Sequence, residues 1–236
     1  MTDGLDTNPS APAPRPERGV AVAVLLALVA GVALWGALAG TGPGRADDAV
    51  LGEVLDARTG GLTALAVVVT TVGNTAAMAL LAALAAASQW RRGRRPEAAL
   101  LLAAMAGGAL LFRGLKILID RPRPPVAARL AAGANESLPS GHATMAMVVL
   151  GSLVVLGWAG RGAPGRLLMV SAALLWVGAV GATRVYLGVH WFSDVVAGWL
   201  VGAAWLAVCV AVWSWWRRRA PSSTAERTAL SPDRAG

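Results

Sequence analysis

Apolar residues in this chain gather into six runs of about twenty, each nearly free of charge and separated from the next by a polar or glycine-rich stretch. The runs cover residues 19–40, 62–88, 97–118, 142–160, 166–187 and 193–216. At about 1.5 Å of rise per residue, twenty helical residues cross the roughly 30 Å hydrocarbon layer of a bilayer, and a helix satisfies its own backbone hydrogen bonds there. The pattern predicts an all-α fold, a six-transmembrane helical bundle over residues 19–216. Residues 1–18 and 217–236 are rich in proline, alanine and polar groups without a hydrophobic period, and both are expected to be disordered tails. Ala37-Leu-Ala39 resembles a signal-peptide cleavage site, but the apolar stretch before it is longer than a signal core and is read as a retained span.

Composition agrees with a membrane protein, at 56% hydrophobic and 14% charged residues. The net charge of +8 does not point to nucleic acid, because the arginines flank the apolar runs and no soluble basic domain separates from them. They set orientation instead. Arg15 and Arg18, the group Arg91, Arg92, Arg94 and Arg95, the pair Arg161 and Arg166, and Arg217 to Arg219 all fall on one side of a six-span layout, which is expected to be cytoplasmic with both termini. The first opposite loop carries Asp47, Asp48, Glu53 and Asp56 against Arg45 and Arg58. Trp90, Trp158, Trp213, Trp215 and Trp216 cluster at the inner boundary, as an aromatic belt does. The single cysteine, Cys209, is read as packing.

One outer loop breaks the charge rule: residues 119–141 contain Arg121, Arg123 and Arg129. The same side receives Lys116, the only lysine, then His142 and His190, the only histidines, and the stretch from Thr183 and Arg184 to Asp194. Lys116, Arg123 and Arg184 supply three cations to one patch, suited to holding a dianionic phosphate through a displacement. Pro139-Ser140-Gly141-His142 precedes an apolar run, so its backbone N–H groups fall at a helix N-terminus, where anions are favoured. Ser140 adds a hydroxyl there and Gly141 permits close approach. His190 and Asp194, four apart, share a face of the last helix if it begins near His190; a carboxylate on one ring nitrogen leaves the other free as a nucleophile. A metal site built from His142, His190, Asp194 and Glu136 is the chemical competitor, and the three cations oppose it by repelling a divalent ion.

Lys116-x6-Arg123-Pro124, Pro139-Ser140-Gly141-His142 and Arg184-x5-His190-x3-Asp194 together resemble the type 2 phosphatidic acid phosphatase (PAP2) superfamily, which also includes vanadium haloperoxidases. The third motif begins Thr183-Arg184 where that family usually has Ser-Arg, which puts the role of this hydroxyl in question. The resemblance implies a PAP2/haloperoxidase-like core in which His190 attacks phosphorus, Asp194 orients it, and His142 protonates the leaving oxygen and then activates water. Lys116, Arg123, Ser140, the Gly141 amide and Arg184 would hold the phosphoryl oxygens, and no metal or other cofactor is required.

The expected function is hydrolysis of a membrane lipid phosphate or diphosphate at the extracytoplasmic face. Phosphatidic acid, a polyprenyl diphosphate and phosphatidylglycerophosphate are all compatible substrates. A phosphotransferase would use the same residues, and a transporter or lipid-binding protein would use the basic patch without cleavage. No sequence pattern sets an oligomeric state.

Overall fold

In the computed structural model, residues 16–133 and 136–219 are described, and every regular element among them is helical. The predicted tails lie outside the described residues, apart from Pro16 to Arg18 and Arg217 to Arg219, which belong to helices. The helices are α1 (Pro16–Ala39), α2 (Asp47–Asp56), α3 (Gly60–Val72), α4 (Thr75–Arg91), α5 (Arg95–Ile119), α6 (Gly141–Gly157), α7 (Ala163–Tyr186) and α8 (Phe192–Arg219). Four stretches, containing α1, α5, α7 and α8, are long and apolar enough to cross a membrane, and α3 with α4 adds a fifth as a bent pair. The fourth predicted span is the shorter α6, of 17 residues.

Helix ends follow local chemistry. Pro96 and Pro164 open α5 and α7 at positions where a missing N–H costs no hydrogen bond. Asp120 closes α5 in the left-handed conformation, φ 48°, with its N–H on the Lys116 carbonyl. The second predicted span is not continuous: α3 and α4 meet at 44°. The cause is Gly73-Asn74, where Asn74 caps α4 by accepting the Ala77 N–H at 2.8 Å and so ends the α3 ladder.

The loop after α1, expected to be plain acidic loop, instead contains α2. Asp47 and Asp48 lie in its first turn, where carboxylates are favoured, and Val50 and Val54 pack on Ala143, Val185 and Val195. These contacts seat α2 across the ends of α6, α7 and α8.

α6 runs through the centre, with Met145, Ala146, Val148 and Val149 buried among α4, α5 and α7. Its approach to α8 is close because Gly198 and Gly202 are one turn apart on α8. A Cβ at either would stand 2.8 or 2.7 Å from the Ser140 or Thr144 carbonyl oxygen. This contact sets the start of α6 beside the start of α8. α1 covers the other side of α8, through Ala30, Ala33 and Ala37.

At the opposite end of the bundle, arginines stack on the predicted tryptophan belt: Arg95 on Trp90, Arg166 on Trp158, Arg217 on Trp213 and Arg219 on Trp215, at 4.1 to 5.2 Å from the ring centres. Glu97, buried in the first turn of α5, pairs with Arg94 at 3.3 Å and Arg217 at 3.4 Å, joining α5 to the end of α8.

Candidate active site

The three sequence segments converge at one end of the bundle. Lys116, near the end of α5, is 4% exposed and does not snorkel to the surface. Its Nζ donates to the Glu136 carbonyl and, at 3.3 Å, to the Ser137 carbonyl. Arg123 donates to the carbonyls of Val189 and Glu136 and lies 3.1 Å from His190 Nε2. The connecting segment is strapped to itself, Ser137 N–H to the Arg121 carbonyl at 2.8 Å and Ser137 Oγ to the Pro122 carbonyl at 3.1 Å. Arg129 serves that segment rather than the site, since it donates to the Pro124 carbonyl at 2.8 Å.

Ser140 is the N-cap of α6, but its hydroxyl caps nothing. The Ser140 Oγ is buried and has no hydrogen-bond partner among the described residues. Its backbone is fixed instead, the N–H on the Asp194 carbonyl at 3.0 Å and the carbonyl accepting from Thr144. The N–H groups of Gly141, His142 and Ala143 precede the first intrahelical bond and present their dipoles at this point. Gly141 carries a packing reason as well: a Cβ there would meet the Phe112 ring at 2.8 Å. His142 is half-buried and within electrostatic range of Arg184, His190, Arg123 and Lys116.

Arg184, 7% exposed on α7, donates to the Thr70 hydroxyl at 2.7 Å, while its Nε is buried with no partner among the described residues. The break after α3 lets this part of the span pack against α7 and reach Arg184. The Thr183 hydroxyl turns back to the Val180 carbonyl of its own helix at 2.7 Å, so it is engaged locally. After α7 the chain reverses at Gly188, φ 67°, where a Cβ would collide with the Ala128 carbonyl at 2.1 Å. Arg58 ties this reversal to the segment after α5, donating to the Tyr186 and Ala128 carbonyls at 2.7 Å each.

His190 and Asp194 form a buried pair, Nδ1 to Oδ2 at 3.3 Å. They do not share a helical turn as expected, because α8 begins only at Phe192. The pair bridges the helix start, and the Trp191 N–H fixes the same oxygen at 2.9 Å. With Nδ1–H donated to the carboxylate, Nε2 keeps its lone pair and faces Arg123. Burial pushes the His190 imidazole down to about 4, against the opposing pull of Asp194, so the ring is neutral at pH 7.

Two further residues complete the carboxylate's surroundings. Arg121 donates to Asp194 Oδ1 at 2.5 Å and to Asp47 Oδ2 at 2.8 Å, and Asp47 accepts the N–H and the hydroxyl of Ser193 at 2.8 and 2.6 Å. Arg121 had a signal, as one of the arginines that break the charge rule. Asp47 had none, being one acid among four in an outer segment. Among the described residues, no three of His, Cys, Asp and Glu converge as metal ligands.

The site thus gathers a buried histidine–carboxylate pair and three cationic side chains, Lys116, Arg123 and Arg184, and two of its buried donors, Ser140 Oγ and Arg184 Nε, have no hydrogen-bond partner among the described residues. Residues 97–218 match the PAP2 superfamily, and the chain belongs to that superfamily and is an enzyme of its phosphatase type. The structure is similar to that of the first transmembrane PAP2 type phosphatidylglycerolphosphate phosphatase from Bacillus subtilis, with a TM-score of 0.70, 25% identity, and coverage of 81% of this chain and 95% of that one. It also shares the fold of LpxE from Aquifex aeolicus, with a TM-score of 0.56, 21% identity, and coverage of 70% and 94%. No curated protein sequence matches the chain.

Proposed function

We propose that this protein hydrolyses a lipid phosphate or lipid diphosphate at the extracytoplasmic face of the membrane, through a phosphohistidine at His190 and without a metal. The observation that carries the reading is the direction of the dyad: Nδ1 is tied to Asp194, and the neutral Nε2 points to the cation Arg123. Nε2 forms the N–P bond as the P–O bond to the lipid breaks, and His142 gives its proton to the departing oxygen. Water, deprotonated by His142, then breaks the N–P bond and frees phosphate and His190. Lys116, Arg123, Arg184, the Ser140 hydroxyl and the Gly141 amide would hold the three phosphoryl oxygens, whose charge persists through both steps.

A lipid substrate is supported by the position of the site at the ends of apolar helices and by the membrane phosphatase from Bacillus subtilis that the chain resembles. The arginine-rich end, with Arg91 to Arg95, Arg161, Arg166 and Arg217 to Arg219, would face the cytoplasm with both termini, and the chain would cross six times. The test is phosphate release by the purified protein from a panel of phosphatidic acid, phosphatidylglycerophosphate and polyprenyl diphosphate in detergent micelles with chelator present. His190→Ala is expected to abolish release while leaving binding of the same lipids intact; unchanged turnover would overturn the reading.

A further inference from the structure

We propose that Asp47 and Arg121 are positioning residues of the reaction, holding the Asp194 carboxylate against His190 and tying that geometry to α2. The proposal rests on His190 being the nucleophile and deepens that reading, since none of the three motifs calls on either residue.

The geometry is a closed set of charge-assisted bonds. One Arg121 amino group reaches Asp194 Oδ1 at 2.5 Å and Ser193 Oγ at 2.9 Å, and the other reaches Asp47 Oδ2 at 2.8 Å. Asp47 closes the set by accepting from the Ser193 N–H and hydroxyl. The side chains of Asp47, Arg121 and Asp194 are 7%, 13% and 0% exposed, so water competes little for these bonds. Asp194 thus has its two oxygens divided: Oδ1 belongs to Arg121, and Oδ2 is left to His190 and the Trp191 N–H. Without Arg121 the carboxylate keeps its charge beside the ring and its bond from the Trp191 N–H, but its angle to Nδ1 is no longer fixed.

The set also meters charge. Asp47 and Asp194 are two anions sharing one guanidinium, and the neutralisation of Asp194 by Arg121 is partial because Asp47 takes the other half. The charge felt by His190 also includes Arg123 from the segment after α5, Arg184 from α7 and His142 from α6, while Asp194 is in range of Lys116 from α5. Substituting Arg121 or Asp47 removes none of these groups. Replacing Arg121 by a neutral residue leaves Asp194 more negative and raises the proton affinity of His190. Replacing Asp47 by asparagine frees Arg121 to neutralise Asp194 further and lowers it. A clamp that merely fastened α2 to α8 would move the stability of the protein rather than kcat at constant KM.

The chain's two histidines allow a direct reading. Protein labelled with 13C-histidine and purified through a histidine-free tag is titrated by NMR in micelles without substrate, and His142→Gln assigns the signals. Arg121→Gln is expected to raise the His190 midpoint by roughly half a unit or more, since a neighbouring charge moves a buried group by about one to three units. The same variant is expected to lower kcat ~3- to 100-fold, the range for contacting pairs, with KM nearly unchanged. Asp47→Asn leaves the midpoint at or below the wild-type value, and Arg121→Lys restores it and most of kcat. A His190 midpoint unmoved by Arg121→Gln, a rise in Asp47→Asn, or full turnover in Arg121→Gln would each overturn the proposal. Wild-type protein that titrates as described but releases no phosphate would instead contradict the function proposed above.

Discussion

The Thr70 hydroxyl accepts a hydrogen bond from the Arg184 guanidinium at 2.7 Å, across the interface between α3 and α7. The bond exists because the second span breaks at Gly73-Asn74, which frees α3 to lean on α7 instead of following α4. Thr70→Val keeps the shape and removes the acceptor, leaving a buried charged donor unsatisfied at a cost of ~1–3 kcal/mol. Phosphate affinity is expected to fall several-fold with Thr70→Val and to be retained with Thr70→Ser, read as KM for a soluble short-chain lipid phosphate.

Ser140 allows capping and turnover to be measured apart. A working Ser N-cap contributes ~1 kcal/mol, but this hydroxyl makes no cap bond. Ser140→Ala is therefore expected to leave thermal unfolding in micelles unchanged while turnover falls ~10-fold or more, as when one donor to a developing oxyanion is removed. Loss of stability with normal turnover would return Ser140 to the role of an ordinary cap.

The neutral state of His190 has a pH signature. Its proton affinity is held down to about 4, so Nε2 keeps its lone pair throughout the neutral range and loses it only as the pH falls through that value. The rate of phosphoenzyme formation in the free enzyme is expected to show no His190 limb between pH 5 and 7 and to fall below it. Asp194→Asn, which removes the orienting carboxylate and permits the wrong tautomer, is expected to lower that rate on the order of 10³-fold or more at every pH. Rapid-quench measurements on both proteins check this.

The long apolar runs and the three polar motifs made the helical membrane fold legible in the sequence. Lys116, Arg123, Ser140, His142, Arg184, His190 and Asp194 meet at one bundle end because each sits within a few residues of a helix terminus, and termini alternate sides by arithmetic. The break at Gly73-Asn74 was not read as one, because residues 62–88 carry no charge, although Gly73 and the Asn74 cap lie within that run. Nor was α2: ten residues with four acids read as loop, and the Val50 and Val54 contacts that make it a helix lie on three other elements. Asp47 illustrates the limit. Its partners Arg121 and Ser193 are 74 and 146 positions away, and local pattern carries no trace of pairs that distant.

A phosphohistidine at His190 can be trapped and located. Purified protein is mixed with lipid phosphate labelled with 32P, quenched in alkali within milliseconds, digested and mapped. Alkali-stable, acid-labile label is expected on His190, absent in His190→Ala and longer-lived when His142→Ala slows attack by water. Phosphate release by the wild type with no label on His190, or release that stops when chelator is added, would contradict the proposed function.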